Sequence, residues 1–253
     1  MNRYAAEMGS RNRDKSQWKE MWVRNTQGVY RLIEELRRRH PHVEFEACAS
    51  GGGRVDYGAM RRFDEYCPSD NTDALDRLYM QEWYSYLYPV KYMRAWLTDD
   101  FGMNQRKIPL KFSMYSAMCG SFGIGTDLNQ VPEEKLEEKL EEIAGYVALY
   151  KEIRDIIQLG DVYRLRSFRQ GDLHAIQYVR NEESVVFVFL DHERYGEIHH
   201  SVCLRGLQED RQYRCTLGER EEIKSGAYLM QMGLGLTLQG DYDCQVIRLR
   251  EIK

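Results

Sequence analysis

The sequence predicts a chain in two parts: an α/β region over 1–160, where short strands alternate with helices, and an all-β region over 161–253 that reads as an antiparallel β-sandwich. Three observations carry this reading. Helical periodicity with start and stop signals recurs four times before residue 160. Short apolar runs between those helices end in glycine or in Asp-Asn, as strands entering loops do. From Asp161 onward six β-type runs follow one another with no long helix between them.

In chain order, Trp18 to Arg39 predicts a helix. Val29, Ile33 and Leu36 share one face, Arg37-Arg38-Arg39 suits the C-terminal dipole, and Pro41 ends it. Val43 to Ala47 is a strand that runs into Ser50-Gly51-Gly52-Gly53, and Phe63 to Ser69 is a second that ends at Asp70-Asn71-Thr72. Leu75, Leu78, Tyr79 and Trp83 then keep helical spacing, with Asn71 or Thr72 as N-cap. Met93 to Thr98, Ile108 to Met118, Phe122 to Leu128 and Pro132 to Leu159 follow as strand, helix, strand and helix. The charged start of the last helix is a solvated face with i,i+4 pairs. In the second part the strands are 162–167, 175–180, 184–190, 201–205, 212–217 and 244–249, with a hairpin turn at Asn181-Glu182-Glu183. Four strand–helix units are half of what a (β/α)₈ barrel of about 250 residues needs. An open α/β sheet and one half of a barrel both fit that count.

Composition narrows the function. With 36 Lys+Arg against 40 Asp+Glu the net charge is −4, so there is no basic excess to neutralise phosphates, and nucleic acid is not expected as a partner. The apolar run Val185 to Leu190 is far short of the ~18 residues of a membrane span, so no membrane partner is expected either. Eighteen tyrosines and four tryptophans suit sugars or apolar ligands. The six cysteines, at 48, 67, 119, 203, 215 and 244, contain no C-x-x-C pair and no cluster with histidine in sequence. That spacing predicts no zinc site and a reduced, cytoplasmic chain.

Sites in α/β folds lie at the C-terminal ends of parallel strands. Three stretches fall there. Cys48 to Asp56 carries three successive glycines, which fit either a tight turn or a loop whose amides meet ligand oxygens. Asp70, at the second strand end, is either a helix cap or a carboxylate in a cleft. Asp99-Asp100 follows the third strand with the same two readings. No histidine stands in a recognisable nucleophile setting, so strand-end carboxylates and acid–base chemistry on a neutral substrate are the better expectation.

Taken in order, these stretches resemble the α-galactosidases of glycoside hydrolase family 36. That family carries K-W-D-x-N-R, then E-S-C-S-x-G-G-G-R, then W-T-S-D-N-x-D-A-x-D-R-x-x-x-Q. Here the second motif stands as Glu46-Ala47-Cys48-Ala49-Ser50-Gly51-Gly52-Gly53-Arg54. The third stands as Cys67-Pro68-Ser69-Asp70-Asn71-Thr72-Asp73-Ala74-Leu75-Asp76-Arg77, with Gln81 in place. Gly120 to Gly123, Tyr150 to Arg154 and Gly160 to Leu165 are also similar to the family.

The resemblance implies the C-terminal half of a (β/α)₈ catalytic barrel over 1–160, with four strand–helix units, followed by the antiparallel β-sandwich over 161–253. It implies retaining hydrolysis of terminal α-galactosides of the melibiose or raffinose type. Asp70 would be the general acid/base, Asn2, Cys48, Gly51 and Asp70 would contact the sugar, and no metal or other cofactor would be required. A transglycosylase of the raffinose-synthase type would use the same residues. The complete enzyme would be a homotetramer. Met1-Asn2-Arg3 matches the end of the first motif, so the nucleophilic aspartate would immediately precede residue 1, Met1 would be an internal methionine, and the chain alone would be inactive. The alternatives are a non-catalytic galactoside-binding protein and a subunit completed by a separate front half. Cys67-Pro68 replaces the family's Trp-Thr and removes an aromatic from the edge of the site.

Overall fold

The computed structural model describes residues 9–98, 104–196 and 201–252 and divides into two compact units, 1–70 and 71–253. Asn2, Asp99, Asp100, His199 and His200 lie outside the described residues.

The first unit is built on helix α1 (Glu20–Arg39), strand β1 (Glu46–Ala47), the one-turn helix α2 (Tyr57–Met60) and strand β2 (Glu65–Tyr66). Helix α1 closes where expected, the His40 amide donating to the Leu36 carbonyl just before Pro41. Its Arg37 Nη1 donates to Asp64 Oδ2 at 2.5 Å, and the same oxygen accepts the Phe45 amide at 2.8 Å. Burial pushes the Asp64 carboxyl up, but Arg37 and the Phe45 amide outweigh it and hold it below the usual carboxylate range. One carboxylate thereby ties the helix C-terminus to the chain entering β1. At α2 the cap is Asp56, whose Oδ1 accepts from the Ala59 amide and from the Tyr30 hydroxyl. Burial, then the bond to Asp56, pushes the Tyr30 phenol up to about 12.

The second unit opens with α3 (Ala74–Leu87), β3 (Arg94–Leu97), α4 (Leu110–Met118), β4 (Ser121–Ile124) and α5 (Glu133–Leu159). Strands β3 and β4 are parallel, with Ala95 opposite Phe122. The N-cap of α3 is Asp73 rather than Asn71 or Thr72. Its carboxylate accepts from the Leu75 and Asp76 amides, because only a side chain at that position reaches the first free N–H groups. Arg106 Nη1 adds a bond to the same carboxylate at 2.5 Å. Helix α5 leaves Leu140 and its acidic start exposed and buries Ile143, Tyr150, Ile153, Ile156 and Ile157.

The rest of the unit is antiparallel: β5 (Asp161–Arg166), β6 (Leu173–Arg180), β7 (Glu183–Leu190), β8 (Ser201–Val202), β9 (Gln212–Leu217), β10 (Arg220–Ser225), the short helix α6 (Gly226–Gln231), β11 (Leu234–Gly235) and β12 (Asp243–Ile252). Six of these strands form one sheet in the order β10-β9-β12-β7-β6-β5. The β6–β7 hairpin turns at Asn181, whose φ of 55° an asparagine tolerates better than most residues. Strand β7 is buried on both faces, which explains its uninterrupted apolar run. Val186, Val188 and Leu190 join a core completed by Leu204, Leu229 and Leu234. On the other face Phe189 meets Phe112 of α4 edge-on, ring centres 5.1 Å apart. Of the sandwich expected from sequence, the structure shows one six-stranded antiparallel sheet and a separate two-stranded pair. Among the described residues, the layer opposite the six-stranded sheet is made of α6, connecting chain and the two-stranded β8–β11 pair, because 201–208 and 226–238 supply isolated leucines and valines rather than long alternating runs.

Candidate active site

Strands β1 and β2 run parallel, with Glu46 opposite Glu65 and Ala47 opposite Tyr66. Ala47 and Tyr66 are buried, so by the two-residue period of a strand Glu46 and Cys48 belong to the other face. The ladder continues one step further, the Cys67 amide donating to the Ala47 carbonyl at 3.2 Å. Pro68 then has no amide to give, and the expected strand of 63–69 contracts to Glu65–Tyr66. Two loops leave these strand ends side by side, one carrying Cys48 and the three glycines, the other carrying Pro68, Ser69 and Asp70.

The glycines are there for the neighbouring loop. Gly51 has φ 72°, and a β-carbon on it would meet the Ser69 Cα at 2.5 Å and the Asp70 nitrogen at 2.8 Å. A β-carbon on Gly52 would meet the Pro68 carbonyl oxygen at 2.8 Å. The second loop therefore rests directly on the backbone of the first, and any side chain at Gly51 would push Asp70 away. Arg54 Nη1 donates to the Cys48 carbonyl at 2.9 Å and pins the start of the glycine loop.

Of the four residues expected to hold substrate, the structure brings Gly51 and Asp70 together, with Gly51 buried and Asp70 exposed at the strand end. Cys48 is exposed at the end of β1 and engages in no disulfide. Among the described residues no hydrogen-bond donor or cation is bonded to the Asp70 carboxylate, whereas Asp73 is committed to capping α3. Asn2 lies outside the described residues.

One grouping went unseen in the linear sequence. A Glu46 carboxylate oxygen and the sulfurs of Cys48 and Cys67 lie within 4.8 Å of one another. The register of β1 against β2, nineteen residues apart, creates this cluster. The signal that could have found it was the pairing of the two predicted strands.

Sequence profiles decide the family. The melibiase profile matches residues 1–160, and that of the glycosyl hydrolase family 36 C-terminal domain matches residues 173–249. The chain belongs to the melibiase family. Among the curated melibiase relatives, the probable alpha-galactosidase C of Aspergillus flavus is 35% identical over 228 residues, covering 88% of this chain and 29% of that protein. Alpha-galactosidase AgaA of Geobacillus stearothermophilus is 30% identical over 258 residues, covering 100% of this chain and 34% of that protein. A crystal structure of a variant of the same AgaA in complex with raffinose superposes with a TM-score of 0.91 at 29% identity, over 100% of this chain and 35% of that one. The alpha-galactosidase of Lactobacillus brevis gives the same score, identity and coverage. This melibiase-family chain thus spans about a third of the length of the relatives it matches.

Proposed function

We propose that this chain is the C-terminal part of a retaining α-galactosidase acting on terminal α-galactosides of the melibiose or raffinose type, and that Asp70 is its general acid/base. The observation that carries the reading is the exposed, uncommitted Asp70 carboxylate at the end of β2, backed by the buried Gly51. In the first step the Asp70 carboxyl gives its proton to the leaving glycosidic oxygen while a second carboxylate attacks the anomeric carbon. In the second step Asp70 takes a proton from the water that releases the sugar. A retaining pair stands ~5–5.5 Å apart. Cys48, Gly51 and Asn2 are assigned to the galactose ring. The second carboxylate belongs to a motif that ends with Asn2 and Arg3, so its aspartate is outside the 253 residues, and this chain alone is expected to turn over no substrate.

In the same reading residues 1–160 contribute four strand–helix units to a (β/α)₈ barrel, residues 161–253 form the β domain that follows it in sequence, and the complete enzyme assembles as a homotetramer. Hydrolysis is the activity assigned, with transfer to a second sugar as a side reaction of the same intermediate.

The test is complementation. The chain is co-expressed with the preceding portion of the Geobacillus relative and assayed on an aryl α-galactoside. Activity is expected only from the pair, reduced about 10²–10⁴-fold by Asp70→Asn. In Asp70→Gly, added azide should restore cleavage and yield the α-galactosyl azide, the stereochemistry of an acid/base variant. Complemented activity that survives Asp70→Asn within tenfold sinks the assignment. Galactose binding without turnover by any combination would favour a non-catalytic binding protein instead.

A further inference from the structure

The cluster of Glu46, Cys48 and Cys67 has no part in proton transfer by Asp70, and its donor set has a chemistry of its own. We propose that these three residues form a binding site for a soft or borderline divalent cation, with zinc and cadmium as the class of ligand. Two sulfurs and one carboxylate oxygen suit such ions, whereas magnesium and calcium require oxygen donors throughout.

The geometry fits with little movement. A tetrahedral ion with Zn–S bonds of about 2.3 Å holds its sulfurs about 3.8 Å apart. The three donor atoms already stand within 4.8 Å of one another, so a contraction of about 1 Å closes the site. Strand pairing sets this arrangement, since Glu46 and Cys48 are two residues apart on β1 and Cys67 is the next step of the ladder on β2. Cys67 is buried and Cys48 exposed, which gives the ion one anchored ligand, one accessible ligand and a fourth position open to water.

Binding releases the two thiol protons to solvent as both sulfurs become thiolates. The Cys67 thiol now donates to the Ser69 carbonyl at 3.2 Å, and the ion replaces that proton. Two thiolates and a carboxylate leave one negative charge in excess of a divalent ion, and the Arg54 guanidinium on the Cys48 carbonyl offsets part of it. Cys67 stands where the family motif has tryptophan, so the third donor is a property of this chain. Cys48 is shared with the galactose contacts proposed above, but the cation site rests on the three donors and their spacing, not on that assignment.

The 253-residue chain, kept reduced by a phosphine and freed of metal, is titrated with cadmium while the thiolate-to-cadmium charge-transfer absorption is followed. Zinc is titrated in competition with a chromophoric chelator. One equivalent of cadmium is expected, with absorption from two thiolates. Cys67→Ser and Cys48→Ser should each lose about half of that absorption and at least tenfold in affinity. Glu46→Gln should weaken binding and leave the absorption in place. Cys203→Ser, at the other exposed cysteine, should change neither. Because Cys48 is exposed, its variant keeps the test decisive even if Cys67→Ser disturbs the fold. Absorption that is undiminished in Cys48→Ser, or disappears in Cys203→Ser, overturns the site. A Cys48–Cys67 disulfide in chain trapped from cells by alkylation overturns it too, since an oxidised pair holds no thiolate.

Discussion

The β-carbon that Gly51 lacks would lie 2.5 Å from the Cα of Ser69. That distance joins the two loops of the site: the glycine loop after β1 is the floor on which the loop bearing Asp70 rests. Gly51→Ala must displace one backbone or the other, and at φ 72° it also places a side chain in the left-handed region. The expected cost is about 1–3 kcal/mol of stability. In the complemented enzyme kcat should fall, since the proton donor moves, and KM should rise, since Gly51 is itself assigned to the sugar. Unfolding in denaturant and steady-state kinetics check both.

Tyr150 of α5 holds the start of β4. Its hydroxyl donates to the Gly120 carbonyl at 2.7 Å and accepts from the Phe122 amide at 3.2 Å and from Gln158 Nε2 at 2.9 Å. Tyr150→Phe keeps the ring and leaves a buried carbonyl and an amide without that partner. It should destabilise the chain by about 1–3 kcal/mol, read as a shift in denaturation midpoint with the slope unchanged.

His174 gives a pH dependence with a definite sign. The ring is buried, stacked on Phe168 at 4.1 Å, and burial lowers its pKa to about 3 against a weaker opposing bond to the Arg166 backbone. The imidazole is neutral in the folded chain at neutral pH, so its 3.5 Å approach to Glu82 is no ion pair there. Between about pH 6.5 and 3 the unfolded chain binds a proton that the folded chain does not. Stability is therefore lost as pH falls through that window, at up to about 1.4 kcal/mol per pH unit. His174→Phe should flatten the slope, measured by chemical denaturation at several pH values.

Arg77, part of the third sequence motif, is a buried structural cation. Its Nη2 donates to the Arg94 carbonyl at 2.7 Å and its guanidinium lies 4.4 Å from the Trp96 ring centre, tying α3 to β3. Arg77→Leu should cost about 1–3 kcal/mol by stranding that carbonyl. Arg77→Lys should recover less than half, because an ammonium cannot both stack and reach the carbonyl in the same geometry. Thermal unfolding of the two variants ranks them.

The elements legible in the sequence were those with a strong period or a clear stop. Helix α1 ends at its arginines before Pro41, and β7 stands out as an unbroken apolar run. Strand β10 left no trace, because Arg220–Ser225 is the charged edge of the sheet, where like-for-like pairing with other chains is discouraged by the same charges that hide the strand. Around the site, the sequence placed Asp70 after a strand, and the structure has it in the loop that follows β2. The meeting of Cys48 with Cys67 was not legible, since it depends on the register of two strands nineteen residues apart. The glycines were legible as glycines only, since their neighbour, Ser69, is a tertiary contact.

Strand β12 lies third in the sheet, between β9 and β7, yet it is the last of the described strands to be made. During synthesis the ribosome releases the β5–β6–β7 meander and the β9–β10 hairpin as two separate pieces, each with a bare edge waiting for the same ten residues. Only when 243–252 emerge can Ile247 settle between Val186 and Leu217 and the two pieces become one sheet. A nascent chain stalled before that point would offer two sticky edges to its neighbours on the polysome, so the interval between residues 225 and 243 is when this protein most needs a chaperone.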